Sequence, residues 1–208
     1  MILTIWKKTE HDRNCLIKID DSVWGSLSEK ALRTLFHYHT GSFDITESEA
    51  AFLQDELLRA SWGKLQDWLA RQDHPAAECR LYLKRFSFHP SIIDKCIREG
   101  LERNFINDKR YCRLLIESLI QRQKSPQQIK TKLIEKKLPA SLWEPLLQEI
   151  YQPADKQSAL LEQAQKIYLR YKDLESRACY EKCLTSLYRK GFDLDDARDV
   201  VAGLVFRK

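Results

Sequence analysis

From Thr46 almost to the C terminus, apolar side chains recur at helical spacing, and turn residues break the runs at intervals. Ala51, Leu53, Leu57 and Leu58 are followed by Trp62, Leu65, Trp68 and Leu69. An apolar residue every three or four positions buries one face of a helix against a neighbour. Breaks fall near Asp73-His74-Pro75, His89-Pro90, Asn104, Ser125-Pro126, Pro139, Pro153, Asp173 and Gly191. Thr46, with Glu49 three residues on, has the form of a capping box that opens a long helix. Only six glycines occur in 208 residues, and no two are close enough for a glycine-rich phosphate loop. The chain is predicted to be all-α over most of its length, without a nucleotide fingerprint.

The breaks repeat. Phe88, Leu138 and Phe192 align as the hydrophobic residue of three interhelical turns, at offsets of 50 and 54 residues. Leu83, Leu133 and Leu187 stand five residues earlier, and Cys79, Ile129 and Cys183 nine earlier. Later columns hold Ile93, Trp143 and Ala197; Cys96, Leu146 and Val200; Ile97, Leu147 and Val201; and Leu101, Tyr151 and Val205. All seven columns are apolar. A unit of this size buries little alone, so neighbours must stack. The expected architecture is an elongated body of three tandem three-helix repeats, 57–103, 107–151 and 154–206. Trp62, Trp68 and Trp143 lie at helical spacing and are expected to pack in the core.

Residues 1–56 read differently. Leu3-Thr4-Ile5-Trp6 and Cys15-Leu16-Ile17-Lys18-Ile19 are short apolar runs, and Asp20-Asp21 precedes Ser22-Val23-Trp24-Gly25. These predict a small β-hairpin or three-stranded meander with turns near 10–13 and 20–21. Ser28–Leu35 then opens a short helix that Thr40-Gly41-Ser42 ends.

The net charge of +5 conceals an uneven distribution. Residues 74–137 carry fifteen basic and seven acidic groups, net +8, whereas 1–50 are net −2, 51–73 net −1 and 138–208 neutral. A basic middle points to a polyanion or an acidic protein surface. The apolar start, Met1 to Trp6, stops at Lys7-Lys8 and is too short for a signal peptide. The longest uncharged run, Thr34–Phe43, is far below a membrane span. Cys15, Cys79, Cys96, Cys112, Cys179 and Cys183 contain no Cys-x-x-Cys pair and read as reduced core residues of a cytoplasmic protein.

One segment resembles a known family. Ile97-Arg98-Glu99-Gly100-Leu101-Glu102-Arg103-Asn104-Phe105-Ile106-Asn107-Asp108-Lys109-Arg110-Tyr111-Cys112 is similar to the junction between repeats in the RecX regulatory proteins. Asn104 stands where glycine is usual, and asparagine tolerates the left-handed conformation of a helix C′ position. Leu187-Tyr188-Arg189-Lys190-Gly191-Phe192 resembles the family's Leu-x-Arg-Arg-Gly-Phe. Leu69-Ala70-Arg71, Glu78, Ile129, Leu133 and Lys136 also match. Pro75 replaces a capping serine, and Ser125 and Lys137 fall at positions usually glycine. The resemblance implies a non-enzymatic protein that binds the RecA recombinase filament and its DNA. It implies inhibition of strand exchange and ATP hydrolysis, or filament disassembly, within DNA repair and the SOS response.

On that reading the partner-binding residues are Lys84, Arg85, Arg110, Arg113, Arg122, Lys124, Lys130, Lys132, Lys136, Lys137, Arg189 and Lys190. Arg189 and Lys190 occupy the same turn of the third repeat as Lys136 and Lys137 of the second, so basic residues could form a stripe along one face. On that reading the partners are the RecA filament and single- or double-stranded DNA; the alternative is a helical-repeat adaptor that binds nucleic acid or an acidic protein other than RecA. A monomer is expected, with no membrane contact, cofactor or metal. Asp193, Asp195, Asp196 and Asp199 suit a helix N terminus better than a metal-dependent nuclease centre. His37 and His39 lie at a helix end with no further ligand at suitable spacing. Asp108 is expected to cap near the start of its helix.

Overall fold

The first residues alternate between core and surface: Leu3 and Ile5 are buried, Ile2 is exposed, and Thr4 and Trp6 lie between. That two-residue period belongs to a strand. In the computed structural model, which describes residues 1–206, it becomes β1 (Ile2–Trp6), antiparallel to β2 (Asn14–Ile19), which in turn pairs with β3 (Ser22–Ser28). The expected meander is present, but the sheet has a fourth strand, β4 (Gly41–Asp44), in the order β3-β2-β1-β4. The sequence marks Thr40-Gly41-Ser42 only as a helix end. Four residues carry too little alternation to show a strand, and these are extended because β1 offers an edge to pair with.

Trp24 is the extra residue of a bulge in β3, since Ile17 faces Gly25 while Lys18 faces Val23. The Trp24 carbonyl accepts the His89 N–H at 3.0 Å, and the two rings stack at 4.3 Å. Gly25 has φ +151°, and a Cβ there would stand 2.7 Å from Phe88 Cδ1 and 2.9 Å from Leu57 Cδ2. The sheet therefore approaches the helices so closely at this point that only glycine fits.

Ser28 caps α1 (Glu29–Phe36), and Thr46 and Glu49 form the expected capping box of α2 (Glu47–Leu69). Leu53, Leu57 and Leu65 on α2 are fully buried and join the sheet's inner face to α3 (Ala76–Lys84) and α4 (Pro90–Glu102) in one core. Pro75 gives α3 no side-chain cap. Asp108, the first residue of α5 (Asp108–Gln121), supplies one: its Oδ1 accepts the Ala76 N–H at 2.8 Å. The capping bond thus goes to α3 rather than to Asp108's own helix. Asp108→Ala is expected to cost about 1 kcal/mol. Hydrogen exchange should show faster exchange at the first turn of α3, with α2 unchanged.

These elements make one compact unit, Met1–Asp108; the second is Lys109–Lys208. In the second, α5, α6 (Pro126–Glu135) and α7 (Ala140–Ile150) enclose Ile116, Ile129, Leu133 and Trp143. A separate cluster of Ala164, Ile167, Cys183, Leu187, Phe192 and Val201 lies among α8 (Pro153–Tyr171), α9 (Ser176–Arg189) and α10 (Leu194–Val205).

The aligned turn residues Phe88, Leu138 and Phe192 are all buried, as are Leu83, Leu133 and Leu187 five residues earlier. The last aligned column is not, because Leu101 is 46% exposed. Immediately before each buried turn residue stands one in the left-handed region: Ser87 (φ 61°), Lys137 (φ 57°) and Gly191 (φ 79°). Only one of the three is glycine. Asn104 is left-handed as expected (φ 58°). Ser125 is not: it is the extended N-cap of α6, with φ −65°, and the left-handed residue of that turn is Gln123 (φ 55°).

Candidate partner-binding surface

The twelve basic residues proposed from sequence divide between the units. Lys84 ends α3 and Arg85 caps it; both are exposed, and Arg85 lines a small depression with Trp68, Leu81 and Tyr82. The other ten belong to the second unit. Arg110 and Arg113 lie half-buried on α5, where Arg113 Nη2 donates to Glu149 Oε1 of α7 at 2.8 Å. That bond ties two helices together, and Glu149 raises the Arg113 pKa. Arg122 is exposed just after α5. Half-buried Lys124 accepts the Tyr151 hydroxyl with its carbonyl at 3.3 Å. Lys136, the C-cap of α6, is half-buried, and Lys137 is exposed.

Four of the ten line adjoining depressions. Lys132, Arg189 and Lys190 surround one of about 710 Å³, together with Gln127, Thr131 and Tyr188. Lys130 lines the next, about 440 Å³, with Lys156 and Asp193; Tyr188 and Gly191 border both. Arg189 also borders a third depression of about 430 Å³, beside Lys182. Lys136 and Lys137 line none of these, so beside Arg189 and Lys190 stands Lys132 rather than the aligned pair.

The turn carrying Arg189 and Lys190 is pinned. Ser125, fully buried, donates its hydroxyl to the Lys190 carbonyl at 2.5 Å while accepting the Gln128 N–H at 3.2 Å. A Cβ on Gly191 would lie 2.5 Å from Gln127 Cβ. Lys190 Nζ donates to Gln163 Oε1 of α8 at 2.7 Å. Its pKa is lowered, first by burial and then by Lys124, Arg170 and Lys166, a local excess of positive charge. Lys132 is ion-paired to Glu135 at 2.8 Å. Among the described residues no carboxylate lies within ion-pairing distance of Lys130, Arg189 or Lys190.

Charge arithmetic by segment misses Lys156, Lys166, Arg170 and Lys182, since 138–208 sums to zero. The acids there are partly committed. Asp193 caps α10 by accepting from Asp195 and Asp196 N–H groups, Asp195 pairs with Arg198, and Asp196 pairs with Lys156 at 2.5 Å. Tyr188 falls at the open position of the Leu-x-Arg-Arg-Gly-Phe-like segment and carries no sequence signal of its own.

The remaining candidates are structural. All six cysteines are buried. Burial pushes the thiols of Cys79 and Cys183 up to about 12 and that of Cys96 to about 11, which keeps them protonated and poor as ligands or nucleophiles. Trp143 is buried; Trp62 and Trp68 are half-buried, Trp62 donating to Glu99 at 2.7 Å and Trp68 stacking on His74 and Tyr82. His37 is the left-handed C-cap of α1, and His39 packs edge-on against Phe43. Among the described residues no group of three or more His, Cys, Asp or Glu side chains could hold a metal, and no helix is long and apolar enough to cross a membrane.

Known proteins resemble the chain at three levels. The family model for the third three-helix domain of RecX matches residues 154–201. The regulatory protein RecX of Streptococcus uberis is 32% identical over 126 residues, 59% of this chain and 47% of the relative; that match spans about half the relative's length. The regulatory protein RecX of Streptococcus sanguinis is 28% identical over 94% of this chain and 75% of its own, and that of Listeria welshimeri 26% identical over 88% and 67%. Among solved structures, a regulatory protein RecX superposes with a TM-score of 0.66 at 18% identity, covering 99% of this chain and all of the other. RecX from Lactobacillus salivarius superposes with a TM-score of 0.62 at 23% identity, covering 71% and 96%. Sequence matches along most of the chain and a shared fold agree: the chain is similar to the RecX regulatory proteins along its length and shares their fold.

Proposed function

We propose that the chain is a non-catalytic regulator that binds a RecA recombinase filament and its DNA. It acts as a cytoplasmic monomer and inhibits strand exchange and ATP hydrolysis during DNA repair and the SOS response. The observation that carries this reading is the similarity, along most of the chain, to relatives named regulatory protein RecX. The basic residues Lys130, Lys132, Arg189 and Lys190, gathered around adjoining depressions, support a polyanionic partner surface. The chain is read as three three-helix units, 57–103, 107–151 and 154–206. Support comes from the burial of Phe88, Leu138 and Phe192 and from the left-handed residue that precedes each.

The test is a strand-exchange and ATPase assay of RecA on single-stranded DNA with sub-stoichiometric protein. Both rates are expected to fall. Unchanged rates, under conditions where RecA alone is active, would overturn the proposal.

A further inference from the structure

Tyr188 is the most exposed aromatic side chain among the described residues, at 62%. Its position follows from the helix. Leu187 and Cys183 turn the inner face of α9 into the core, so the next residue projects outward. Its hydroxyl makes no hydrogen bond among the described residues. Exposing a tyrosine ring to water forgoes burial that helices elsewhere in this chain achieve with smaller residues. The ring stands beside a turn fixed by the Ser125–Lys190 bond and by the close approach of Gln127 to Gly191.

The ring is also flanked by cations. Lys132 and Arg189 share one depression with it and Lys130 the other. Arg189 and Lys130 have no carboxylate in ion-pairing range among the described residues, and the two acids in these depressions are engaged, Glu135 with Lys132 and Asp193 with the α10 N terminus. An aromatic face between cations, beside a pinned turn, matches what an unpaired nucleotide offers: a base with a π face and a phosphate on either side. A duplex hides its base faces by stacking and presents only phosphates and groove edges. An acidic peptide would use the cations but has no need of the ring.

We propose that Tyr188 is a base-stacking platform, with Lys130 and Arg189 holding the flanking phosphates. This surface of the second unit thereby selects single-stranded nucleic acid over duplex. The inference rests on the reading above that DNA is among the chain's partners, and names the form of it that this surface takes.

The experiment is fluorescence anisotropy of the whole chain with a labelled oligothymidine of about 20 nucleotides, and with the matching duplex, in the absence of any recombinase. The single strand is expected to bind more tightly. Tyr188→Ala should weaken single-strand binding about tenfold and leave duplex binding unchanged. Tyr188→Phe, which keeps the ring, should bind like the parent. Equal affinity for the two forms overturns the proposal, as does a Tyr188→Ala variant that binds single strands normally. So does a Tyr188→Phe variant as weak as Tyr188→Ala, which would assign the effect to the hydroxyl. Polyglutamate that competes as well as the oligonucleotide would overturn it in favour of an acidic protein. The outcome is separable from the recombinase assay. A chain that slows RecA but ignores the oligonucleotide loses this inference alone, and one that binds the oligonucleotide but leaves RecA unaffected loses only the filament reading.

Discussion

Gly25→Ala is expected to be the most destabilising single-methyl change in the first unit, at about 3 kcal/mol. Two costs add. The backbone at Gly25 has φ +151°, which an L side chain rarely adopts. The new methyl would also stand 2.7 Å from Phe88 Cδ1 and 2.9 Å from Leu57 Cδ2, in a core where Leu57 is fully buried and Phe88 is 3% exposed. Neither neighbour can withdraw cheaply. Phe88 is the anchor of the α3–α4 turn, and the adjacent His89 N–H is bonded to Trp24. The substitution therefore pushes the sheet from the helices at the point where the bulge brings them together. Chemical denaturation with two probes should locate the loss: near-ultraviolet signal from Trp24 should fall at lower denaturant than far-ultraviolet signal from α8–α10. A variant that unfolds at the parent's midpoint would show that the sheet and helices can separate there without cost.

What can be read from the chain follows the range of the interactions. Thr46 with Glu49, Ser28 before α1 and Asp193 before α10 are caps that close within three residues, and the sequence shows each. The helix breaks are equally visible, because proline lacks the N–H that would continue a preceding helical turn, while its fixed φ suits the first turn of the next helix, as at Pro90, Pro126 and Pro153. Long-range partners are hidden. Strand β4 exists through pairing with β1, about forty residues away. Asp108 caps a helix that begins 32 residues earlier. Ser87, Gln123 and Lys137 adopt left-handed backbones without being glycine or asparagine, so composition does not locate those turns. The candidate site shows the same division. Lys130, Lys132, Arg189 and Lys190 are visible as charges, but their shared surroundings depend on how α6 meets the end of α9. Tyr188 is invisible because an exposed tyrosine and a buried one look alike in sequence.

Charge reversal should separate cations that serve a partner from cations that serve the fold. The triple variant Lys130→Glu, Lys137→Glu and Arg189→Glu is expected to weaken binding to a single-stranded polyanion at least tenfold. It should flatten the slope of log affinity against log salt by about 0.7 for each phosphate that is no longer neutralised. All three side chains are exposed, and none has a carboxylate within ion-pairing distance among the described residues, so helicity should not change. Arg113→Glu is the opposite case. It breaks the 2.8 Å bond to Glu149 and sets two acids against each other across α5 and α7. It should lower stability modestly, as expected of an ion pair in contact with solvent, and change the salt slope little. Lys190→Glu should do both, because Lys190 Nζ is held by Gln163 and sits among Lys124, Lys166 and Arg170. If the triple variant keeps the parent's affinity and slope, the polyanion does not bind on this surface. If Arg113→Glu flattens the slope as much as Arg189→Glu, the division between structural and partner-facing cations is wrong.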